Sequence, residues 1–182
     1  MAGPKPLAIF WQELLPGDIR KIEAQSNDAQ TGGGARDLRF PDAPFRPVLE
    51  RMFPEEGQVR GRPVRHGTLV WEDAKGTSQH QEIEYWPPTS ARPGEGRLAR
   101  IHEIEPLQQP PEAGGDTVLL VLVLDDLKQL RAYYTTSGEL RDKWHDDVAQ
   151  PILECLGKES KGGVARRGWL DLIDGTSYCH GS

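Results

Sequence analysis

Val118-Leu119-Leu120-Val121-Leu122-Val123-Leu124 is the stretch that decides how this chain folds. Seven apolar side chains in a row leave no polar face for water, so a strand here must be covered on both sides and form the centre of the core. Thr117 to Leu124 is then one of five predicted strands, with Thr68 to Trp71, Gln81 to Trp86, Leu98 to Ile104 and Arg131 to Thr135, separated by Gly/Pro-rich breaks. Within Leu98 to Ile104 the apolar residues Leu98, Ile101 and Ile104 lose strict alternation, which predicts a bulge or a twist. Short strands with few helices and no alternating β–α–β rhythm predict a mainly β fold with flanking helices, closed as a barrel or an open pseudobarrel.

Working outward, Pro6 to Leu15 carries apolar residues at Leu7, Ile9, Phe10, Leu14 and Leu15, a spacing that predicts a short amphipathic helix ended by Pro16-Gly17. Ile19 to Ala24 reads as a strand, Gln25 to Gly34 as a polar loop, and Leu38 and Phe40 as the next strand. Phe45 to Phe53 reads as a helix with Val48, Leu49, Met52 and Phe53 inward. Glu139 to Leu156 reads as one helix kinked at Pro151, with Trp144, Val148, Ile152, Leu153 and Leu156 on one side. Between Gln81 to Trp86 and Leu98 to Ile104, Pro87 to Arg97 is a Pro/Gly/Arg-rich loop that projects from the body and carries Arg92 and Arg97. Residues 1–157 are expected to form one domain, and 158–182 a Gly/Ser-rich tail with an apolar patch at Trp169, Leu170, Leu172 and Ile173.

A chain of 182 residues is long enough to bury a core without disulfides or metal. Its longest apolar run is too short to span a bilayer, and the N-terminus lacks a signal-peptide pattern, so cytoplasmic residence is expected. Cys155 and Cys179 stand far apart with no neighbouring cysteines, which predicts reduced thiols. The net charge of −6 argues against a nonspecific polyanion binder. Its distribution is uneven, however: residues 1–102 hold 14 Lys/Arg and 14 Asp/Glu, whereas 103–182 hold 8 and 14. The front part is therefore free to carry a local basic face, and its cations are mainly arginines.

Two segments resemble a known family. Ile19-Arg20-Lys21-Ile22, Ser26-Asn27-Asp28, Thr31-Gly32-Gly33, Leu38, Pro41 and Val48 to Pro54 resemble the opening of the N-terminal effector domain of EcoRII-type restriction endonucleases. Arg97 to Ile101, Pro106-Leu107-Gln108 and Gly115 to Leu124 resemble that family's arginine-bearing strand, its turn and its apolar strand, so the likeness spans about residues 7–135. The resemblance implies a DNA-binding pseudobarrel, the fold shared with plant auxin-response transcription factors, whose two arms enter the major groove. In that family the domain binds an extra copy of the target site and relieves autoinhibition of a separate nuclease. By position the arms would be Ser26 to Arg36 and Arg92 to His102. The third glycine, Gly34, and Ala35-Arg36-Asp37 depart from the pattern, which puts the target sequence in doubt, and no nuclease half follows before residue 182.

Elementary chemistry points the same way. Asn27 is able to bond adenine bidentately, Arg36, Arg97 and Arg100 to fork onto guanine, and Glu103 or Asp37 to accept from cytosine. The glycines allow close backbone approach. The expected DNA-contacting set is Ser26, Asn27, Asp28, Thr31, Gly32, Gly33, Arg36, Arg39, Arg92, Arg97, Arg100, His102 and Glu103. Singly, Ser-Asn-Asp and the glycine run are turn chemistry and the arginines are solvated charges. As two cation-bearing loops within one pattern they favour double-stranded DNA as partner, with a nuclease domain or subunit as a second partner and no cofactor or metal.

Rival constellations are weaker. Asp146 or Asp147 with Glu159-Ser160-Lys161 mimics a metal-dependent nuclease, but the carboxylates fall on a helix and the Glu-x-Lys in a flexible tail instead of a hairpin. His66, His80 and His102 with Glu82, Glu84, Glu103 and Glu105 lack the spacing of a zinc centre. Gly32-Gly33-Gly34 lacks the Lys-Ser/Thr of a phosphate loop. Trp71, Trp86 and Trp144 are expected to pack in the core or at its rim. A protein-interaction module using the acidic C-terminal part is the third class.

Overall fold

The computed structural model describes residues 3–23, 37–160 and 163–180. Among them the fold is mainly β, a curled, open half-barrel with few helices. The strands are β1 (Pro6–Glu13), β2 (Leu38–Pro41), β3 (Glu55–Val59), β4 (Arg62–Glu72), β5 (Ser78–Trp86), β6 (Glu95–Ala99), β7 (Val118–Asp125), β8 (Leu130–Thr136), β9 (Glu159–Ser160), β10 (Gly163–Val164), β11 (Arg167–Asp171) and β12 (Thr176–His180). The helices are α1 (Pro16–Glu23), α2 (Asp42–Met52), α3 (Ser137–Lys143) and α4 (Asp146–Cys155). The main sheet runs β12-β11-β1-β7-β8-β4-β5-β6-β2, with β3 paired to β4. Every pairing is antiparallel except a single parallel contact, Leu69 opposite Leu130.

β7 is central, and all eight of its residues are buried. One face, with Val118, Leu120, Leu122 and Leu124, joins Phe10, Phe40, Phe45 and Leu98 in the barrel interior. The other, with Leu119, Val121 and Val123, joins Ile9 and Trp11 under Leu140, Val148 and Ile152 of α3 and α4. Two covers on one strand account for the absence of polar residues from it. Phe10, Phe40 and Phe45 meet edge to face at centroid distances of 5.5 to 5.8 Å, a geometry that adds about 0.5–1.5 kcal/mol per pair beyond burial.

α2 lies across the opening of the curled sheet. On one side Trp169 Nε1 donates to the Pro44 carbonyl at 2.8 Å and Arg51 meets Asp171 at 2.7 Å. On the other, the Asp42 amide donates to the Gly94 carbonyl at 2.9 Å and the Tyr85 hydroxyl donates to the Asp42 carboxylate. The helix thus ties β11 to the β5–β6 loop.

Several expectations need correcting. Pro6 to Glu13 is a strand, because it is paired on both edges and buried from Ile9 to Trp11 on both faces, which suits a contiguous apolar run better than a stripe. Pro16-Gly17 starts α1 instead of ending a helix: proline suits a first helical turn, and Asp18 accepts from the Leu15 amide at 3.0 Å. Ile19 to Glu23 is accordingly helical. Leu98 to Ile104 is a strand only to Ala99; Arg100 turns left-handed at φ 68°, and two 3-10 turns, Ile101–Glu103 and Glu105–Leu107, bury Ile101, Ile104 and Leu107.

The predicted single C-terminal helix breaks at Trp144, whose ring packs edge to face on Tyr133 at 5.6 Å, and His145 caps α4 by accepting from the Asp147 amide. Pro151 sits inside α4 without ending it. The described residues after 157 are no loose tail: β11 pairs along β1, and β12 pairs along β11. Nor are the cysteines reduced, since Cys155 and Cys179 form a disulfide with Cα atoms 5.7 Å apart. Chain separation hid that pair because the last hairpin carries β12 back beside α4. The hairpin β3–β4, turning at Arg60 and Gly61 with φ of 51° and 76°, was not anticipated. Among the described residues no helix is long and apolar enough to cross a membrane.

Candidate nucleic-acid interface

The β2–β6–β5 end of the sheet carries the candidate site, because strand alternation sorts its residues between two faces. Leu38, Phe40, Gly96, Leu98, Ile83 and Tyr85 are buried inward. Gly96 is required there, since a Cβ would lie 2.6 Å from the Phe40 ring. The alternate residues Arg39, Glu95, Arg97, Glu82, Glu84 and Trp86 therefore share the outer face.

Register sets a row across that face. Arg39 is opposite Arg97, and Arg97 is opposite Trp86. Two like charges side by side are unfavourable, so each has a carboxylate. Arg97 bonds Asp37 at 3.0 Å and lies over the Trp86 ring at 5.4 Å. Arg39 lies 3.8 Å from Glu95, which also holds Arg92 at 3.4 Å. Trp86 donates to Glu84 at 2.9 Å. Trp86 is thus a platform for a guanidinium as well as a rim residue, whereas Trp71 and Trp144 pack against the two cores as expected.

At the far end of β6 stands a second cluster. Arg100 bonds Glu103 at 3.0 Å and lies 3.9 Å from Glu82, which is 3.0 Å from His66 Nδ1. Gln81 donates to Glu103 at 3.3 Å, and His102 Nε2 is 4.0 Å from Glu103. Side-chain exposure ranks the arginines: Arg97 is 16 % exposed, Arg100 36 %, Arg39 38 % and Arg92 44 %.

The structure therefore brings Arg39, Arg92 and Arg97 into one patch and Arg100, His102 and Glu103 into its neighbour. Ser26, Asn27, Asp28, Thr31, Gly32, Gly33 and Arg36 lie outside the described residues. Leu38 pairs with Leu98, so Asp37, where the chain enters β2, sits beside the exit of β6 toward Arg100. The partners that hold the arginines, Asp37, Glu82, Glu95 and Trp86, escaped the sequence reading as a set, because cross-strand register decides them.

Beneath the patch, Asp42 is 1 % exposed and accepts from Tyr85 and from Arg46 Nε at 2.7 Å. Burial, and then the neighbouring Asp42 carboxylate, push the Tyr85 hydroxyl well above its ordinary range; the bond to Asp42 also raises the Arg46 guanidinium. An open cleft of about 680 Å³ adjoins this triad, lined by Arg46, Glu50, Arg65, Tyr85, Pro87 and Pro88 among others.

Of the rival constellations only part is described, and the Glu159 segment is paired in a hairpin, β9–β10, contrary to the flexible tail expected for it. Asp146 and Asp147 are exposed on the first turn of α4, and Lys161 lies outside the described residues. Among the described residues no group of three or more His, Cys, Asp or Glu is placed to hold a metal ion. Compared with known proteins, the chain matches no family model, no curated protein and no solved structure.

Proposed function

We propose that this chain is a sequence-reading double-stranded DNA-binding module of the pseudobarrel type, the effector or target-recognition part of a restriction or defence system, and that it does not itself cut. The observation that carries the proposal is the row Arg39, Arg97 and Trp86, flanked by Arg92 and Arg100, on the open face of β2, β6 and β5. A guanidinium has five N–H donors, and Arg92 and Arg100 each spend few on their glutamates, so both retain a fork for guanine O6 and N7. The carboxylates hold the arginines in place before DNA arrives, which lowers the entropy lost on binding. Arg97, the least exposed, acts as the brace between Asp37 and Trp86 and positions its neighbours.

The pairing has a cost. Each described arginine of the face has an acidic neighbour, so nonspecific attraction to phosphates is weak and recognition must rest on base edges and on shape. A gel-shift assay with duplex DNA and magnesium ions separates this proposal from the nuclease alternative. A retarded band with uncut DNA is expected, whereas cleavage that is lost in Asp147→Asn would transfer the function to the acidic cluster of α4.

A further inference from the structure

We propose that Cys155–Cys179 is a thiol–disulfide exchange site whose redox state sets how firmly the last strand holds α2. Among the described residues β12 is an edge strand, paired only with β11. Successive strand residues point to opposite faces, so its residues are gripped from both sides. Cys179 is bonded to the end of α4. Tyr178 stacks on Trp169 at a centroid distance of 6.2 Å and meets Phe45 of α2 edge to face at 5.7 Å. Trp169 in turn bonds Pro44 at 2.8 Å. Through Asp42, α2 holds both Tyr85 and the Gly94 carbonyl in the loop ahead of β6. A continuous chain of contacts therefore runs from the disulfide to the base of the arginine-bearing loop.

Access decides the chemistry. Cys155 is 6 % exposed, while Cys179 lies on the exposed edge strand. The thiolate of an external dithiol accordingly attacks Cys179 Sγ. The S–S bond breaks, and Cys155 Sγ leaves with the bonding pair and takes a proton from water. The second thiolate of the same dithiol then attacks the mixed disulfide and releases Cys179, which is protonated in its turn. The reductant ends as its disulfide, and the protein gains two electrons and two protons. Once reduced, Cys155 stays shielded at the C-terminal end of α4 among apolar side chains. Re-oxidation starts from the exposed Cys179 thiolate attacking oxidised glutathione and releasing one glutathione thiolate, after which Cys155 Sγ, losing its proton to water, attacks Cys179 Sγ and releases the second.

The test uses the whole chain and no DNA, so its outcome is independent of the DNA proposal. Alkylation with iodoacetamide followed by mass spectrometry should find neither cysteine modified in the air-purified protein and both modified after dithiothreitol. Hydrogen exchange of the two states should then differ, with β12 and the Phe45–Arg51 part of α2 exchanging about tenfold faster or more when reduced, and β7 unchanged. A Cys155→Ser, Cys179→Ser double variant should reproduce the reduced pattern and ignore dithiothreitol. Thiols that are already free before reduction would overturn the proposal. So would identical exchange in both states, or a rise that spreads equally through β7, which would make the bond a support for the entire core.

Discussion

Tyr85 and Tyr134 show what burial does to single residues in this chain. Tyr134 donates to the Leu107 carbonyl at 2.7 Å, and burial pushes its hydroxyl up, with a smaller push from Glu23; Tyr85 is raised by burial and by Asp42. Both folded-state values stand above the unfolded value of about 10, so the folded chain keeps protons that the unfolded chain gives up. Their stabilisation is complete below about pH 10 and is lost as pH rises toward the folded values, at about 1.4 kcal/mol per pH unit for each phenol. Urea midpoints should fall between about pH 10 and 11.5, and Tyr134→Phe should make that fall shallower. Equal slopes in the two proteins would contradict the assignment. At this scale the sequence singled out Arg39, Arg92, Arg97 and Arg100 as candidates but could not say what they touch. Asp37 reaches Arg97, 60 residues on, only because β2 and β6 are in register.

Elements were legible where one signal dominated. The apolar run of β7, the helix α2 and the strands β5 and β8 follow from composition and period alone, and the lost alternation after Leu98 did mark an irregular point. β1 and α1 were exchanged because Pro6 to Leu15 fits a helical stripe by spacing, while its edge partners β7 and β11 lie more than a hundred residues away. Tertiary pairing overrode local period. β11 was missed for a related reason: Gly168 reads as a loop residue, yet it sits in the strand where there is no room for a Cβ. A Cβ there would collide with the Tyr178 carbonyl and lie 2.8 Å from Trp11 Nε1. Gly168→Ala should therefore destabilise the chain by about 1–3 kcal/mol, since backbone cannot move aside as a side chain does. Gly17→Ala, with nothing near its Cβ, should stay within about 0.5 kcal/mol of the parent. Urea unfolding of the two variants decides the matter, and a neutral Gly168→Ala would mean that residues 167–180 are not integral to the sheet.

Across the whole molecule, exposed acidic residues gather on the helical layer. The acidic excess of residues 103–182 includes the exposed Asp142, Asp146, Asp147 and Glu154 on α3 and α4, which cover the β1–β7 part of the sheet. The arginine row lies on β2, β5 and β6 at the other end of the strand order. On that end Arg39, Arg92, Arg97 and Arg100 stand beside Asp37, Glu82, Glu84, Glu95 and Glu103, so if the proposed DNA reading holds, bulk attraction is weak and base contacts must supply the affinity. The mainly β, open half-barrel architecture was legible from strand count and turn spacing, and the candidate site was expected on a pair of loops. The first of those loops, Ser26 to Arg36, lies outside the described residues, so its share in recognition is open to measurement from the DNA side. The most direct measurement is selection of bound duplexes from a randomised pool, with and without methylated cytosine. One short sequence should be enriched, with its affinity weakened by roughly 1–3 kcal/mol in Arg100→Ala. A pool that emerges from selection at low salt with its input composition unchanged would contradict the account.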